Sequence, residues 1–244
     1  MPLIVLVHGI TGDHAGLAAL AQELAETYQI AIVDLPGHGK SSPIPLPDAT
    51  TLQQWFAETI EAIEREIGKV EAICAHSFGC SAVLGEDILK KRKVILLNPV
   101  PTPSGPYAQY ARLIMDSAHF WAHVYNWRPF VLLRGMVLAK VRTRDALRRI
   151  RWAGLNSRAT YSQVVFQSRL VNIILDSSAY KFAGRGKVAL VVCGMSDTTA
   201  YERDSLDMET AFGGSKVVFL KGGHLLPIES PDRVAALICE AMVN

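Results

Sequence analysis

Three residues whose side chains together support nucleophilic catalysis follow separate apolar segments of the 244-residue chain: Ser77, Asp197 and His224. A serine hydroxyl is a weak nucleophile until a neighbouring base removes its proton, and histidine can take up that proton near neutral pH. A carboxylate behind the imidazole holds the correct tautomer and stabilises the imidazolium. If the three side chains meet, we expect Ser77 to attack an acyl carbonyl, with His224 as its base and Asp197 as the partner of the histidine.

Short apolar runs rich in β-branched residues predict buried strands at Leu3–Val7, Ile30–Val33, Val70–Cys74, Val94–Leu97, Val188–Val192 and Val217–Leu220. Helical patterns lie between them. Thr50 and Gln53 form a potential capping box at the start of one helix, and Gly68 is placed to end it. Ser230 and Pro231 suit the start of the last helix. Strands that alternate with helices predict a parallel sheet.

Ligands of such a sheet bind beyond the carboxyl ends of its strands. Ser77, Asp197 and His224 follow the third, fifth and sixth predicted strands. We therefore expect them at one edge of the sheet, each in a turn from which its side chain can project. The segments that follow five of the strands are His8–Gly12, Asp34–Ser41, Ala75–Gly79, Gly194–Asp197 and Gly222–His224.

These segments, and the chain order Ser77, Asp197, His224, resemble the α/β-hydrolase family. The resemblance covers the framework from residue 3 to 98 and again from 187 to 244, and it lacks the two strands with which the family usually begins. It implies an α/β-hydrolase fold, with a parallel sheet of about six strands flanked by helices. It also implies a mainly helical lid, inserted after the fourth strand. Ala75 stands where the family usually has glycine.

The resemblance also implies roles for backbone groups near Ser77. The N–H groups of Ile10 and Phe78 would donate hydrogen bonds to the oxyanion. A serine nucleophile argues against the family's dehalogenases and epoxide hydrolases, which use aspartate. The family's other acid position holds Asn98, which has no negative charge, and this favours Asp197 as the acid.

The histidines outside the proposed triad are interpreted as structural. In look-alike sequences the residues at the positions of His8 and His38 brace loops through hydrogen bonds. His76 precedes the nucleophile, and the resemblance implies that its side chain points away from it.

Residues 101–186 differ sharply in composition from the rest. They hold thirteen lysines and arginines and three aspartates, a net charge of +10 in a chain whose total is +2. We predict that residues 1–100 and 187–244 form the core and that 101–186 form a basic, aromatic-rich lid. Trp121, Tyr125 and Trp127 are candidates to line an apolar substrate pocket. The basic stretch from residue 142 to 151 suggests attraction to an anionic substrate, a lipid headgroup on a membrane surface, or an acidic partner.

The overall composition excludes several classes. Half of the residues are apolar and 20% are charged, which is typical of a globular protein. The apolar runs are too short to span a bilayer, and no basic leader precedes an apolar segment. Four cysteines without metal-ligand spacing or disulfide-scaffold density favour reduced thiols and a cytoplasmic location. The near-neutral net charge and the absence of a known nucleic-acid-binding motif argue against nucleic acid as a partner.

We therefore predict a serine hydrolase, carboxylesterase-like, that cleaves a carboxylic ester or thioester through an acyl-enzyme and requires neither a metal nor an organic cofactor. Two alternatives stay open. Carbon–carbon bond hydrolases and the menaquinone-pathway lyase share the triad, and a basic lid would suit their anionic substrates. Some relatives keep the fold as non-catalytic binding proteins. Turnover of a simple nitrophenyl ester would favour the esterase.

Overall fold

The computed structural model describes residues 1–46, 48–101, 113, 116–140, 143–157, 159–175, 180, 188–197, 199, 212 and 215–243. Six strands form one sheet in which every pair is parallel, in the order β2-β1-β3-β4-β5-β6. The predicted six-stranded parallel sheet is confirmed, and each strand lies within two residues of its predicted bounds. The strands are β1 (Leu3–Val7), β2 (Gln29–Val33), β3 (Val70–His76), β4 (Lys93–Leu97), β5 (Val188–Gly194) and β6 (Lys216–Leu220).

Helices cover both faces of the sheet, which explains why its central strands are almost continuously apolar. In β1, Val5 packs on one face and Leu6 on the other. All five residues of β1 are buried, whereas the outermost strands β2 and β6 are only partly buried. The helices are α1 (Ala18–Leu24), α2 (Ala49–Glu66), α3 (Gly79–Val83), α4 (Glu86–Lys91), α5 (Ala118–Val124), α6 (Arg128–Leu138), α7 (Arg144–Asn156), α8 (Tyr161–Arg169), α9 (Val171–Leu175), α10 (Leu226–Glu229) and α11 (Pro231–Val243).

The capping box predicted from Thr50 and Gln53 is wrong. Helix α2 begins two residues earlier than that box requires, because the Asp48 carboxylate accepts hydrogen bonds from the N–H and the hydroxyl of Thr51. The Gln53 side chain instead donates to the carbonyl of Ser81 in α3. The predicted end of the helix is confirmed, since α2 stops at Glu66 and Gly68 has a φ of +139°.

Between β4 and β5, the described residues form the five helices α5 to α9. Parts of the predicted lid lie outside the described residues: 102–112, 114–115, 141–142, 158, 176–179 and 181–186. Helix α7 packs on the core through Ile150 and Ala153, which contact Ile228 of α10. The inserted helices therefore lie against the loop that follows β6. In the part of the chain that the structure describes, no helix combines the length and the apolar character needed to cross a bilayer.

The turn between β3 and α3 depends on a close backbone approach at Gly79. A Cβ atom built on Gly79 would lie 2.5 Å from the carbonyl oxygen of His8, which belongs to the backbone and cannot rotate away. We expect Gly79→Ala to lower the free energy of unfolding by about 1–3 kcal/mol, because the end of β1 and the start of α3 must separate. Denaturant unfolding followed by circular dichroism measures this loss.

Gly16→Ala is the matched control for this prediction. Gly16 lies in the short helical turn His14–Leu17, and an added Cβ would meet no atom within 4 Å. Its unfolding midpoint should stay at or slightly above that of the unmodified protein. Equal midpoints for the two variants would contradict the crowding argument.

Candidate active site

Ser77 lies in the sharp turn between β3 and α3 with a strained backbone. Its φ is +52°, in the left-handed region that non-glycine residues seldom adopt. The turn is held from both sides: the Ser77 N–H donates to the carbonyl of Leu97 at 2.9 Å, and its carbonyl accepts the N–H of Cys80 at 2.9 Å. Ala75, in place of the family's glycine, ends up fully buried in β3 without positive φ. The methyl group is thus compatible with the turn.

The structure brings together the three residues singled out in the sequence. The hydroxyl oxygen of Ser77 lies 2.8 Å from Nε2 of His224. Nδ1 of the same ring lies 2.7 Å from Oδ2 of Asp197. All three residues are more than 90% buried. The arrangement provides a continuous path along which the serine proton can pass to the imidazole while the carboxylate stabilises the charge that forms.

The carboxylate of Asp197 is held by hydrogen bonds from several sides. Burial works to raise its pKa, but the neighbouring His224 and the hydrogen bonds from His224 and Thr199 outweigh burial. The pKa of Asp197 therefore lies well below its usual range. The group is negatively charged at neutral pH, as a partner of an imidazolium must be.

Two of the residues that hold Asp197 were not assigned this role from the sequence. Thr199 donates from its N–H and its hydroxyl to Oδ1, at 2.8 and 2.6 Å, and its hydroxyl also lies 2.7 Å from Nδ1 of His224. Asn98, with φ +48°, donates from Nδ2 to Oδ2 at 2.7 Å. The signal for Thr199 was its place two residues after an aspartate, a spacing typical of turns closed by the aspartate side chain.

The expected orientation of the His76 side chain is not found. Its side chain does not point away from the site: Nε2–H donates to the carbonyl oxygen of His224 at 2.7 Å, and the two rings lie 5.1 Å apart. Burial lowers the pKa of His76 to about 3, so the ring is neutral at physiological pH. The expected bracing by His8 and His38 is found. Nε2 of His8 accepts the N–H of Leu35, and Nδ1 of His38 donates to the carbonyl of Pro36.

Glu229 holds the loop that carries His224, which the sequence did not reveal. Its buried carboxylate accepts the N–H groups of Gly223 and Leu225, on either side of the histidine, at 2.9 Å each. It also accepts the N–H of Lys140, just after α6, at 3.1 Å. The histidine loop and the end of α6 therefore share one carboxylate.

Of the two predicted oxyanion donors, Phe78 follows Ser77 in the chain and Ile10 lines the same cavity. Phe78 is the residue at the start of α3. The loop before Ile10 approaches closely, since a Cβ on Gly9 would lie 2.9 Å from Cβ of Ser77. Within the described part of the chain, the N–H groups of Ile10 and Phe78 have no hydrogen-bond acceptor. Both are therefore available to a bound oxygen.

A cavity of about 600 Å³ extends from Ser77 and His224 under the inserted helices. Trp121 and Tyr125 line it, as predicted for a substrate pocket. The third predicted pocket residue, Trp127, does not belong to this lining and is 63% exposed. Trp127 directly precedes α6. The prediction for Trp127 therefore has no support from this cavity, because aromatic character alone does not distinguish a pocket side chain from a surface one.

This chain is similar to known proteins in sequence and in fold. A candidate esterase/lipase from Haemophilus influenzae is 28% identical over 106 residues, which are 41% of this chain and 36% of that protein. A second curated relative is matched over 62% of its length, so the chain spans less than two thirds of either relative. The structure of an esterase from Exiguobacterium antarcticum is 17% identical in sequence, with a TM-score of 0.78. The match covers 100% of this chain and 92% of the esterase chain.

A thermophilic esterase from Thermogutta terrifontis is 21% identical with a TM-score of 0.73, covering 98% of this chain and 89% of its own. At such identities these two structures establish a common fold. The model of the alpha/beta hydrolase family matches residues 4–237. That match spans nearly the whole sequence, and the chain therefore belongs to the alpha/beta hydrolase family.

Proposed function

We propose that the protein hydrolyses a carboxylic ester or thioester, with Ser77 as nucleophile, His224 as general base and Asp197 as the partner of His224. The observation that carries the proposal is the unbroken sequence of short contacts from the Ser77 hydroxyl through both ring nitrogens of His224 to the carboxylate. The esterase names of three of the four proteins compared above agree with it.

In the first half of the reaction, the Ser77 oxygen attacks the acyl carbon while His224 takes the hydroxyl proton. The carbonyl oxygen becomes an oxyanion that accepts hydrogen bonds from the N–H groups of Ile10 and Phe78. Collapse of this intermediate breaks the bond to the alcohol or thiol, which leaves with the proton from His224. The acyl group stays on Ser77.

In the second half, a water molecule attacks the acyl carbon and gives its proton to His224. Collapse of the second tetrahedral intermediate breaks the bond between the acyl carbon and the Ser77 oxygen, which takes the proton back from His224, and the carboxylic acid is released. Asp197 keeps its negative charge throughout and stabilises the imidazolium in both halves. The chemistry uses only side chains and backbone groups of this chain.

We also propose that residues 101–186 act as a lid on a core formed by 1–100 and 187–244. Trp121, Tyr125 and Val131 from this segment face Ile10 and Ser77 across the cavity, so the segment would enclose the acyl group. Contact of the lid with an anionic membrane surface stays a prediction. The exposed side chains that would make it are Leu133, Val137, Arg144, Arg148, Arg151 and Trp152.

A cytoplasmic location is part of the proposal. Cys74, Cys80, Cys193 and Cys239 are all free thiols. Free thiols in every cysteine are typical of a reducing compartment.

The test combines covalent labelling with a substrate panel. We expect a fluorophosphonate probe to modify Ser77, as identified by peptide mass spectrometry, and the protein to hydrolyse 4-nitrophenyl esters or acyl thioesters from acetyl to dodecanoyl. Preincubation with the probe should abolish this hydrolysis. Labelling of Ser77 in a protein inert on every ester and thioester would favour carbon–carbon bond hydrolysis or lyase chemistry. Failure to label native protein would favour a non-catalytic binding role.

A further inference from the structure

The cavity holds a guanidinium group whose hydrogen-bonding capacity is largely unused. Arg134 of α6 lines the cavity together with Ser77 and His224, and it is partly buried. Its Cζ lies 4.7 Å from the centre of the Tyr125 ring, within the range of a cation–π contact. One of its N–H groups donates to the carbonyl oxygen of Thr11, at the long distance of 3.5 Å.

The other donors of Arg134 have no acceptor among the residues that the structure describes. A guanidinium carries five N–H donors in a planar fork, a shape that matches the two oxygens of a carboxylate. No described carboxylate forms an ion pair with it. Asp13, the acidic residue in the cavity wall, accepts the N–H of Ala15 instead.

A second arginine of the inserted helices, Arg149, does have hydrogen-bond acceptors in the protein. Arg149 of α7 donates from Nε to the carbonyl of Ile228 at 2.7 Å and from Nη2 to the carbonyl of Glu229 at 3.0 Å. Arg149 thus ties α7 to the core. Arg134 makes no comparable contact within the described residues and faces the cavity.

The position of Arg134 relative to the reaction centre follows from the chain itself. Thr11 directly follows Ile10, whose N–H is the proposed oxyanion donor. Two residues span at most about 7 Å, so the Thr11 carbonyl that contacts Arg134 lies close to the N–H of Ile10. The guanidinium can therefore reach a substrate group that is a few bonds away from the carbonyl attacked by Ser77. The hydroxyl of Tyr125 also donates to the Thr11 carbonyl and holds this loop in place.

We propose that Arg134 binds an anionic group of the substrate, so that the favoured substrate is an ester or thioester bearing a carboxylate. This inference rests on the proposed function and names its substrate class. The negative group would receive a charge-assisted hydrogen bond, in a cavity otherwise lined mostly by apolar side chains, where such bonds are stronger than in water.

The test compares two esters that differ only in that charge: mono-4-nitrophenyl adipate and 4-nitrophenyl hexanoate. For the unmodified protein we expect a higher kcat/KM with the adipate ester. Arg134→Met should lower kcat/KM for the adipate ester at least 10-fold more than for the hexanoate ester, since only the adipate ester loses a charge-assisted hydrogen bond. Arg134→Gln, which keeps a polar group near Thr11, should give the same selective loss and serves if the methionine variant does not fold.

Arg148→Met is the matched control. Arg148 lies on the exposed face of α7, paired only with the exposed Asp145 within the described residues, so it reports the general attraction of a basic lid. Equal loss in the Arg148 and Arg134 variants would overturn the subsite, as would equal loss on both esters in Arg134→Met. Hydrolysis of the hexanoate ester with no preference for adipate would overturn the subsite alone. No hydrolysis of either ester, or of the wider panel, would overturn the proposed function as well.

Discussion

Ser77→Ala will lower kcat/KM for the best ester or thioester of the panel by at least about 10³-fold. Alanine removes the hydroxyl oxygen that lies 2.8 Å from Nε2 of His224, so no acyl-enzyme can form. Some acceleration over the uncatalysed reaction should persist, because the N–H groups of Ile10 and Phe78 still bind an oxyanion. Steady-state kinetics, with the fluorophosphonate probe as a check for contaminating hydrolase, measures the loss.

Ser81→Ala is the control for this variant. Ser81 is buried in α3, four residues after the nucleophile, and is 2% exposed. It should retain most of the activity, and both variants should unfold at temperatures close to that of the unmodified protein. Full activity in Ser77→Ala would move the nucleophile elsewhere in the chain.

Asp197→Asn will lower kcat by up to about 10⁴-fold with little change in the fold. The amide has no charge to stabilise the imidazolium. It also brings an NH₂ group into a site where Asn98 and Thr199 already point donors at the acid. The NH₂ group then favours the tautomer of His224 that carries its proton on Nε2. In this tautomer Nε2 cannot accept the proton of Ser77. Stopped-flow measurement of the acylation burst separates this effect from slow deacylation.

A second variant tests whether charge or mere position is lost. Nδ2 of Asn98 lies 2.7 Å from the Asp197 carboxylate, so Asn98→Asp combined with Asp197→Asn places one carboxylate next to the original position. We expect the double variant to recover a substantial part of the lost kcat. Asp145→Asn, which changes an exposed acid on α7, should leave kcat unchanged. Recovery no better than Asp197→Asn alone would show that the acid acts only from position 197.

The sheet and the three central residues were accessible from sequence for a physical reason. Strands buried on both faces leave short, continuous apolar runs such as Leu3–Val7, and these runs are hard to confuse with amphipathic helices. A parallel sheet places the residues after its strands at one edge. The proximity of Ser77, Asp197 and His224 follows from these two rules together.

Two of the features that sequence reasoning missed depend on contacts between distant segments. Glu229 looked like an ordinary helix residue, because its bond to the N–H of Lys140 crosses 89 positions of chain. The role of His76 depends on a carbonyl 148 positions away. Asp48 displaced the predicted capping box by a local competition that residue patterns do not rank. Local sequence patterns cannot reveal the distant partners of Glu229 and His76.

The bonds between the end of α6 and the histidine loop bear on any attempt to shorten the protein. The His224 N–H donates to the carbonyl of Leu138 at 3.1 Å, and Glu229 binds the N–H of Lys140. A truncated version that joins β4 directly to β5 would remove both bonds to the loop that carries His224. We expect such a shortened variant to keep the sheet but to lose hydrolytic activity. A smaller version of the protein should therefore retain residues 138–140.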